Sequence, residues 1–267
     1  MNRHFKYFPL FAAIFLLLSS HLSYANLLIK PFRAVLDEDT RTAEITLLNS
    51  STEVKTYNIQ WEEKLQTTNG GYTDVSENAL SASKFIRHSP RQVTIKPGEY
   101  QKIKLRLRMP KDLAPGEYRS HLMMKAIASL PKIDDKNTKG MKVQIIPQLS
   151  FSIPIIVRKG PVKSKIEIAS LDIKKSKKDQ KNISVLLSHD GDYSTYGSLY
   201  AYMKVGNQKT QQIGEAHNIA VFRESKQRQA NIILQVPDIP KGAVVQVLYK
   251  GADEFDGQIL GKAAIRH

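Results

Sequence analysis

MKVQIIPQLSFSIPIIVR, which spans Met141 to Arg158, alternates apolar and polar side chains along most of its length. Every second residue from Val143 to Ile153 is apolar, and the residues between them are polar except for Ile146. A period of two predicts a β-strand with one apolar face, and this strand is about twice as long as a typical one. An apolar face of this length must be covered, either within its own domain or by another chain.

Two prolines, Pro147 and Pro154, lie inside the predicted strand. Proline has no N–H for the strand ladder, so such a strand belongs at the edge of a sheet. The two prolines have opposite parity, which indicates a bulge or a change of strand partner between them. A long apolar edge strand promotes aggregation unless it is covered. Two interpretations follow: the rest of the same domain covers the face, or a partner pairs with it by β-augmentation.

The composition predicts packed domains without disulfides. The chain has 267 residues, of which 41% are hydrophobic, enough for one large or two ordinary domains. It contains no cysteine, which excludes disulfides, thiol catalysis and thiolate metal sites. The domains must therefore be held together by their cores.

Residues 1–25 have the pattern of an export signal. A basic start precedes the apolar run Tyr7 to Leu18, and Ser23-Tyr24-Ala25 has small residues at the two positions of a cleavage site. We expect the mature chain to begin at Asn26. No later run is apolar enough to cross a bilayer. The sequence therefore predicts an exported, soluble protein with no stable membrane insertion.

The chain is strongly basic, with a formal net charge of +15. Removal of Arg3 and Lys6 with the signal leaves 15 − 2 = +13. Such a charge suits an acidic partner, a nucleic acid or a membrane surface. The basic residues are spread over strand-like segments, and the one local cluster, Lys174 to Lys181, is typical of a solvated hairpin loop. Export argues further against a nucleic-acid partner.

Short strand-like segments separated by turn signals predict two β-sandwiches. About seven strands fit between Asn26 and Arg158, and a second run extends from Ser164 to Ile265. Lys159-Gly160-Pro161 has the composition of a linker. We therefore expect a signal peptide at 1–25, a first domain at 26–159 and a second at 160–267, set at an angle with a cleft between them.

Enzymatic motifs are absent from the sequence. The histidines show no metal-ligand spacing, and there is no GxSxG motif, phosphate-binding glycine loop or paired-carboxylate signature. His121 lies in a predicted strand and is interpreted as structural. We therefore expect no catalytic residues, no metal site and no cofactor, and the chain is not predicted to be an enzyme.

A set of short motifs, in order along nearly the whole mature chain, gives a specific combination. The motifs are FRAV (32–35), LLNSS (47–51), Trp61, Ser89-Pro90, Pro97-Gly98, PGEYRSHLMMKA (115–126) and SFSIPIIVRKG (150–160), with looser matches at Tyr196-Gly197 and Ala220 to Phe222. With these motifs behind a signal peptide, the chain resembles the PapD-like periplasmic chaperones of chaperone–usher pilus assembly.

The resemblance implies an all-β protein of two immunoglobulin-like β-sandwich domains in a boomerang arrangement. It implies that the protein stabilises pilus or fimbrial subunits in the periplasm by donor-strand complementation and delivers them to an outer-membrane usher. The partners would be those subunits and the usher, without nucleotide or metal. The oligomeric state before cargo arrives stays open, with a self-capping dimer as one option.

The resemblance also assigns residues by position. The anchor for the subunit's terminal carboxylate corresponds to Arg33. The donor strand corresponds to Val143, Ile145, Pro147, Leu149 and Phe151. A network of interdomain ion pairs corresponds to Glu117, Arg158 and Asp253. The family's second basic anchor, a lysine, falls on Pro154, so half of the carboxylate clamp has no counterpart there.

A secreted β-sandwich pilus subunit or adhesive structural protein is the alternative. It would share export and β content. It would not account for Arg33, Arg158 and a complete apolar donor strand together, so the chaperone interpretation is favoured.

Overall fold

The computed structural model describes residues 27–128, 148–161, 163–175 and 181–267. Regular structure in these ranges is strand, apart from two short 3-10 turns, Ser83–Phe85 and Asp253–Phe255. No helix in the described part of the chain is long and apolar enough to cross a membrane. The predicted all-β class with two sandwiches is confirmed.

The first sandwich consists of two sheets, ordered β1-β3-β8-β6 and β2-β10-β9-β4-β5, with β7 also paired to β4. Its strands are β1 (Leu28–Lys30), β2 (Ala34–Leu36), β3 (Thr42–Leu48), β4 (Lys55–Gln66), β5 (Tyr72–Val75), β6 (Ile86–Ser89), β7 (Gln92–Ile95), β8 (Tyr100–Leu107), β9 (Gly116–Ala126) and β10 (Ser150–Lys159).

Strict alternation in sequence becomes a two-faced sheet in β8. Ile103, Leu105 and Leu107 are buried in the first core, whereas Lys104 and Arg106 between them are exposed. Burial of each large aliphatic side chain stabilises the fold by roughly 1.5–3 kcal/mol. The pattern therefore determines which face of this strand points inward.

The sequence predicts a first strand over Leu27 to Leu36 with an edge or bulge at Pro31, and the structure divides this segment into two strands at that proline. β1 pairs with β3 in one sheet, and β2 pairs with β10 in the other. The chain crosses between the sheets at Pro31, which has no N–H for a ladder and interrupts pairing. The crossing leaves Arg33 just before β2.

The second sandwich is ordered β11-β12-β15-β14-β13-β16-β17. Its strands are β11 (Ser164–Lys175), β12 (Lys181–Gly191), β13 (Thr195–Lys204), β14 (Gln211–Val221), β15 (Gln227–Leu234), β16 (Val244–Gly251) and β17 (Ile259–Arg266). Part of the predicted basic loop lies outside the described residues, between β11 and β12.

Among the described residues, the β14–β15 ladder that joins the two halves of this sandwich has two residue pairs. They are Gly214 with Leu234 and Glu215 with Ile233, so a three-strand and a four-strand layer meet at one short seam. A Cβ at Gly214 would lie 2.6 Å from the Ile233 carbonyl oxygen, so only glycine allows this approach. The layers enclose a second core, which includes Ile183, Val247 and other buried aliphatic residues.

Candidate functional site

Strand β10 changes from an edge strand to an inner strand along its length. It pairs with β9 from Ser150 to Lys159, but with β2 only from Ile155 to Val157. Within the described residues, the segment Ser150–Pro154 is therefore paired on one side alone. The backbone groups on its other side are available to an additional strand.

Pro154 lies where the pairing changes. The β2 register begins at the next residue, with Ile155 opposite Ala34. Because proline lacks an N–H, it is tolerated at this position, where the neighbouring strand ends. The other proline of the predicted strand, Pro147, lies outside the described residues.

The apolar face of β10 runs from solvent into the core of the first sandwich. Leu149 is 50% exposed, Phe151 is partly buried against the first core, and Ile153 is buried within it. Phe151 thus contacts the chain's own sandwich. Val143 and Ile145 lie outside the described residues, so the assignment of a donor set stays a prediction.

Arg33 lies at the inner end of this edge. Continuing the parallel register between β2 and β10 by one residue places Arg33 beside Pro154. Its guanidinium donates from Nη1 and Nη2 to the two carboxylate oxygens of Glu254, at 2.8 and 2.9 Å. Nη1 also contacts Asp253 at 3.1 Å, and the guanidinium lies 4.5 Å from the centre of the Tyr196 ring.

The predicted anchor is therefore enclosed by acidic groups of the second sandwich. The Arg33 side chain is only 8% exposed. Burial acts against its charge, but the hydrogen bonds from Arg33 to Glu254 and Asp253 raise its pKa above the ordinary value. Arg33 stays a cation, and any incoming carboxylate meets one that already has partners.

Glu254 links Arg33 to Arg158. The oxygen that accepts from Arg33 Nη2 also lies 2.9 Å from Arg158 Nη1. Burial opposes ionisation of Glu254, but the hydrogen bond and charge of Arg33 and the charge of Arg158 lower its pKa below the ordinary value. A carboxylate with two guanidinium partners is a strong charge-assisted contact.

Arg158 and Glu117 form a buried ion pair. Arg158 Nε donates to Glu117 Oε2 at 2.9 Å, and the two side chains are 6% and 1% exposed. The same carboxylate oxygen accepts from the backbone N–H and the hydroxyl of Ser194, at 3.1 and 2.9 Å. These bonds connect the first sandwich, through β9 and β10, to the second.

The structure brings together only part of the predicted ion-pair network. Glu117 and Arg158 are in direct contact, whereas Asp253 contacts Arg33. The acid that contacts Arg158 from the second sandwich is Glu254, which was not predicted from the sequence. The two acids are adjacent in a 3-10 turn, where Asp253 has a φ of 55°. The geometry of that turn decides which acid reaches which arginine.

A second interdomain contact was not identified from the sequence. Arg119, whose side chain is 4% exposed, forms an ion pair with Glu224. Its guanidinium also lies 4.0 Å from the centre of the Phe222 ring, and Nη2 donates to the Lys64 carbonyl at 2.9 Å. A cation placed over an aromatic face adds attraction beyond burial.

His121 lies beside Arg119 on the same face of β9. Burial, together with the charges of Arg119 and Lys64, lowers its pKa to about 3. The Tyr72 ring contacts it edge-on, with ring centres 5.0 Å apart. No group of three or more potential metal ligands occurs within the described ranges. His121 is therefore a neutral, buried imidazole at neutral pH.

Gln66, at the end of β4, provides a neutral bridge to the second sandwich. Its side-chain amide donates to the Ala220 carbonyl at 3.1 Å. Its carbonyl oxygen accepts from the Phe222 N–H at 3.3 Å and from the Ser225 hydroxyl at 3.0 Å. Because both ends of this buried amide have partners, the contact joins the domains without an unsatisfied polar group.

The two sandwiches, the open strand edge and the contacts between the domains allow comparison with known proteins. The chain is similar in structure to solved chaperones of fimbrial assembly. No family model and no curated protein sequence matches it.

Three of these structures illustrate the likeness. The YadV chaperone is 13% identical, with a TM-score of 0.47, over 90% of this chain and all (100%) of that one. The Pseudomonas aeruginosa CupB2 chaperone is 10% identical, with a TM-score of 0.45, and the match covers 89% of this chain and 97% of that one. The third is a pre-assembly complex of Acinetobacter baumannii Csu pili, between the chaperone CsuC and the tip adhesion subunit CsuE. It is 15% identical, with a TM-score of 0.44, and the match covers 90% of this chain and 97% of that one.

Proposed function

We propose that this chain is a periplasmic chaperone that binds pilus or fimbrial subunits by donating a strand and delivers them to an outer-membrane usher. The observation that carries the proposal is the segment Ser150–Pro154, which is paired on one side and leads to the buried cation Arg33. The order of motifs in the sequence gives independent support. No step of this function requires a catalytic residue, a metal or a cofactor.

Backbone pairing and apolar burial supply the affinity in this proposal. A subunit strand would pair with the open edge of β10, and alternate side chains from Val143 to Leu149 would fill its groove. Each large apolar side chain buried in this way contributes roughly 1.5–3 kcal/mol. The exposed Leu149 is the described member of this set that is free to enter a partner.

The carboxylate anchor requires an exchange of partners at Arg33. Arg33 already binds Glu254 through both terminal nitrogens. A subunit's terminal carboxylate would replace one or both of these bonds, and Glu254 would keep its contact with Arg158. Arginine suits this role because its planar fork binds a carboxylate through two parallel hydrogen bonds.

The strand donation is tested with two neighbouring exposed residues of opposite parity. Leu149→Glu would bury an unpaired carboxylate in the partner's groove, which is strongly unfavourable. We expect it to abolish co-purification of a co-expressed pilus subunit. Gln148→Glu adds the same charge one residue away on the other face and should leave the yield of complex nearly unchanged. Equal effects of the two substitutions would contradict strand donation.

The proposal includes maturation and localisation. Residues 1–25 would be removed on export, and residues 26–159 and 160–267 would form the two working domains in the periplasm. A self-capping dimer before cargo arrives belongs to the same proposal, because an uncovered apolar edge favours self-association.

A further inference from the structure

The outer face of the sheet β1-β3-β8-β6 is unusually basic. Burial alternates along most of each strand, so that the outward positions are exposed or partly exposed and most of the inward ones are buried. Five of the outward residues are basic, and Glu44 is the one acidic residue among the outward positions of these four strands. We call this set the basic face: Lys30, Arg87, Lys102, Lys104 and Arg106.

Most of these charges are uncompensated within the described chain. Arg106 lies directly opposite Arg87 in the register of β6 and β8, and like charges at such positions are destabilising. Lys102 is paired with Glu44 at 2.7 Å. The other four basic residues form no ion pair with a described carboxylate. Glu44, which lies opposite Lys104 and pairs with Lys102, is the one acidic group on this face, so most of the repulsion among the five basic residues is left without a paired carboxylate.

The arginine cluster extends beyond the end of the face. Arg41 and Arg108 line a shallow cavity together with Arg106. Arg41 donates from Nε to the Glu38 carbonyl at 2.9 Å, so its terminal nitrogens are left for other partners. Three arginines around one depression have the chemistry that suits a phosphate-bearing group.

The opposite end of the face is apolar. Leu28, Leu48 and Tyr100 lie in one cross-strand row. Leu28 is 48% exposed and Tyr100 is 63% exposed. A tyrosine with a free polar tip beside aliphatic side chains is suited to the boundary between water and lipid.

We propose that the basic face docks the protein onto the surface of an anionic phospholipid bilayer. The central rows of the face contain Lys30, Lys102 and Lys104, and lysine is depleted from protein–protein interfaces. A cluster of four to eight basic residues is the typical requirement for binding anionic lipid. Leu28 and Tyr100 enter the headgroup region at one end, without insertion of the chain through the membrane.

This inference is independent of the proposed chaperone function. The basic face belongs to the sheet that does not contain β10, so a partner paired with the open edge leaves it exposed. The protein could therefore hold a partner and a membrane surface at the same time.

Vesicle sedimentation tests the inference with full-length mature protein. We expect binding to vesicles of phosphatidylglycerol and phosphatidylcholine, and none to vesicles of phosphatidylcholine alone. The double variant Arg87→Gln/Arg106→Gln should bind at least about tenfold more weakly, because each basic residue near an anionic surface contributes to affinity. Thermal unfolding should show no loss of stability, since the change removes a repulsion.

A matched control removes the same charge from the second sandwich. Lys241→Gln/Lys262→Gln changes two exposed lysines outside the basic face and should bind nearly as well as the wild type. Equal weakening in the two double variants would overturn the inference, because net charge alone would then be responsible. Absence of sedimentation with anionic vesicles, or equal sedimentation with neutral ones, would also overturn it, and capture by an acidic protein alone would assign the face to a protein partner instead.

Discussion

Arg158 contacts buried charged and polar groups of both sandwiches. It contacts Glu117 from its own sandwich, and Glu254 and Ser194 from the other. Removal of one partner from a buried ion pair leaves the other charge without compensation in a poorly solvated site. The contribution of Arg158 should therefore be far larger than that of an exposed basic residue.

Arg158→Ala should lower the free energy of unfolding by about 3 kcal/mol or more, since Glu117 would remain buried and lose its cationic partner. Chemical denaturation of the purified protein measures the change. Lys262→Ala, at an exposed position of β17, should change stability by no more than about 0.5 kcal/mol. A similar small effect at Arg158 would mean that the pair is not a structural contact between the domains.

His121 makes the free energy of unfolding depend on pH in the acidic range. Its pKa is about 3 in the folded chain, against an ordinary value of 6.5. The unfolded chain therefore binds a proton at His121 as the pH falls below 6.5, while the folded chain stays neutral there. Unfolding takes up this proton between pH 6.5 and about 3, so stability is lost as the pH falls through this window.

His121→Gln should reduce the acid dependence of the unfolding free energy by about 1.4 kcal/mol per pH unit in that window. Urea denaturation at several pH values measures the slope. His217→Gln, on the exposed face of the second sandwich, is the control. An unchanged slope in His121→Gln would show that the imidazole is solvated and free to protonate in the folded protein.

The sequence alone predicts some of these residues and misses others for a physical reason. The family resemblance, not the strand pattern, predicts Glu117 and Arg158, which lie opposite each other in β9 and β10. Glu254 and Glu224 lie in turns of the second sandwich, and their partners depend on how two domains dock. A strand pattern contains no information about how two domains dock, so it does not predict the contacts of these two residues.

At the scale of the element, β10 is the strand that links the fold to the proposed function. Its alternation predicts the inward face, and Phe151, Ile153 and Ile155 follow it. Its prolines predict an edge, and the described part is unpaired on one side before Ile155. Pro31 predicts an edge or bulge in the first strand but not a change of sheet, because the pairing partner on each side of it depends on how the two sheets pack.

Hydrogen exchange tests whether a partner pairs with this edge. In the free protein, amides of Ser150–Ile153 on the open side should exchange faster than those of Ile155–Val157, which have strands on both sides. Binding of a pilus subunit should slow exchange in Ser150–Ile153 and leave Ile155–Val157 nearly unchanged. Protection confined to another edge, such as β17, would place the subunit elsewhere.

At the scale of the whole molecule, regular strand spacing predicts two sandwiches of ordinary size, and the structure has two separate cores. The contacts between the sandwiches include three sets of ion pairs, centred on Arg33, Arg158 and Arg119, and the neutral bridge of Gln66. Because Arg33 belongs to one of these sets, the proposed anchor is also a structural contact. Binding of a carboxylate there is therefore coupled to the contacts between the domains.

A double-mutant cycle between Arg33 and the terminal carboxylate of a subunit tests the anchor most directly. Wild type and Arg33→Ala are each titrated with a peptide that has the C-terminal sequence of a pilus subunit, made with a free carboxylate or an amide. A direct contact predicts that amidation weakens binding to the wild type and has little effect in Arg33→Ala, with a coupling of about 2 kcal/mol, or roughly 30-fold. An equal effect of amidation in both proteins would contradict the assignment of Arg33 as the anchor.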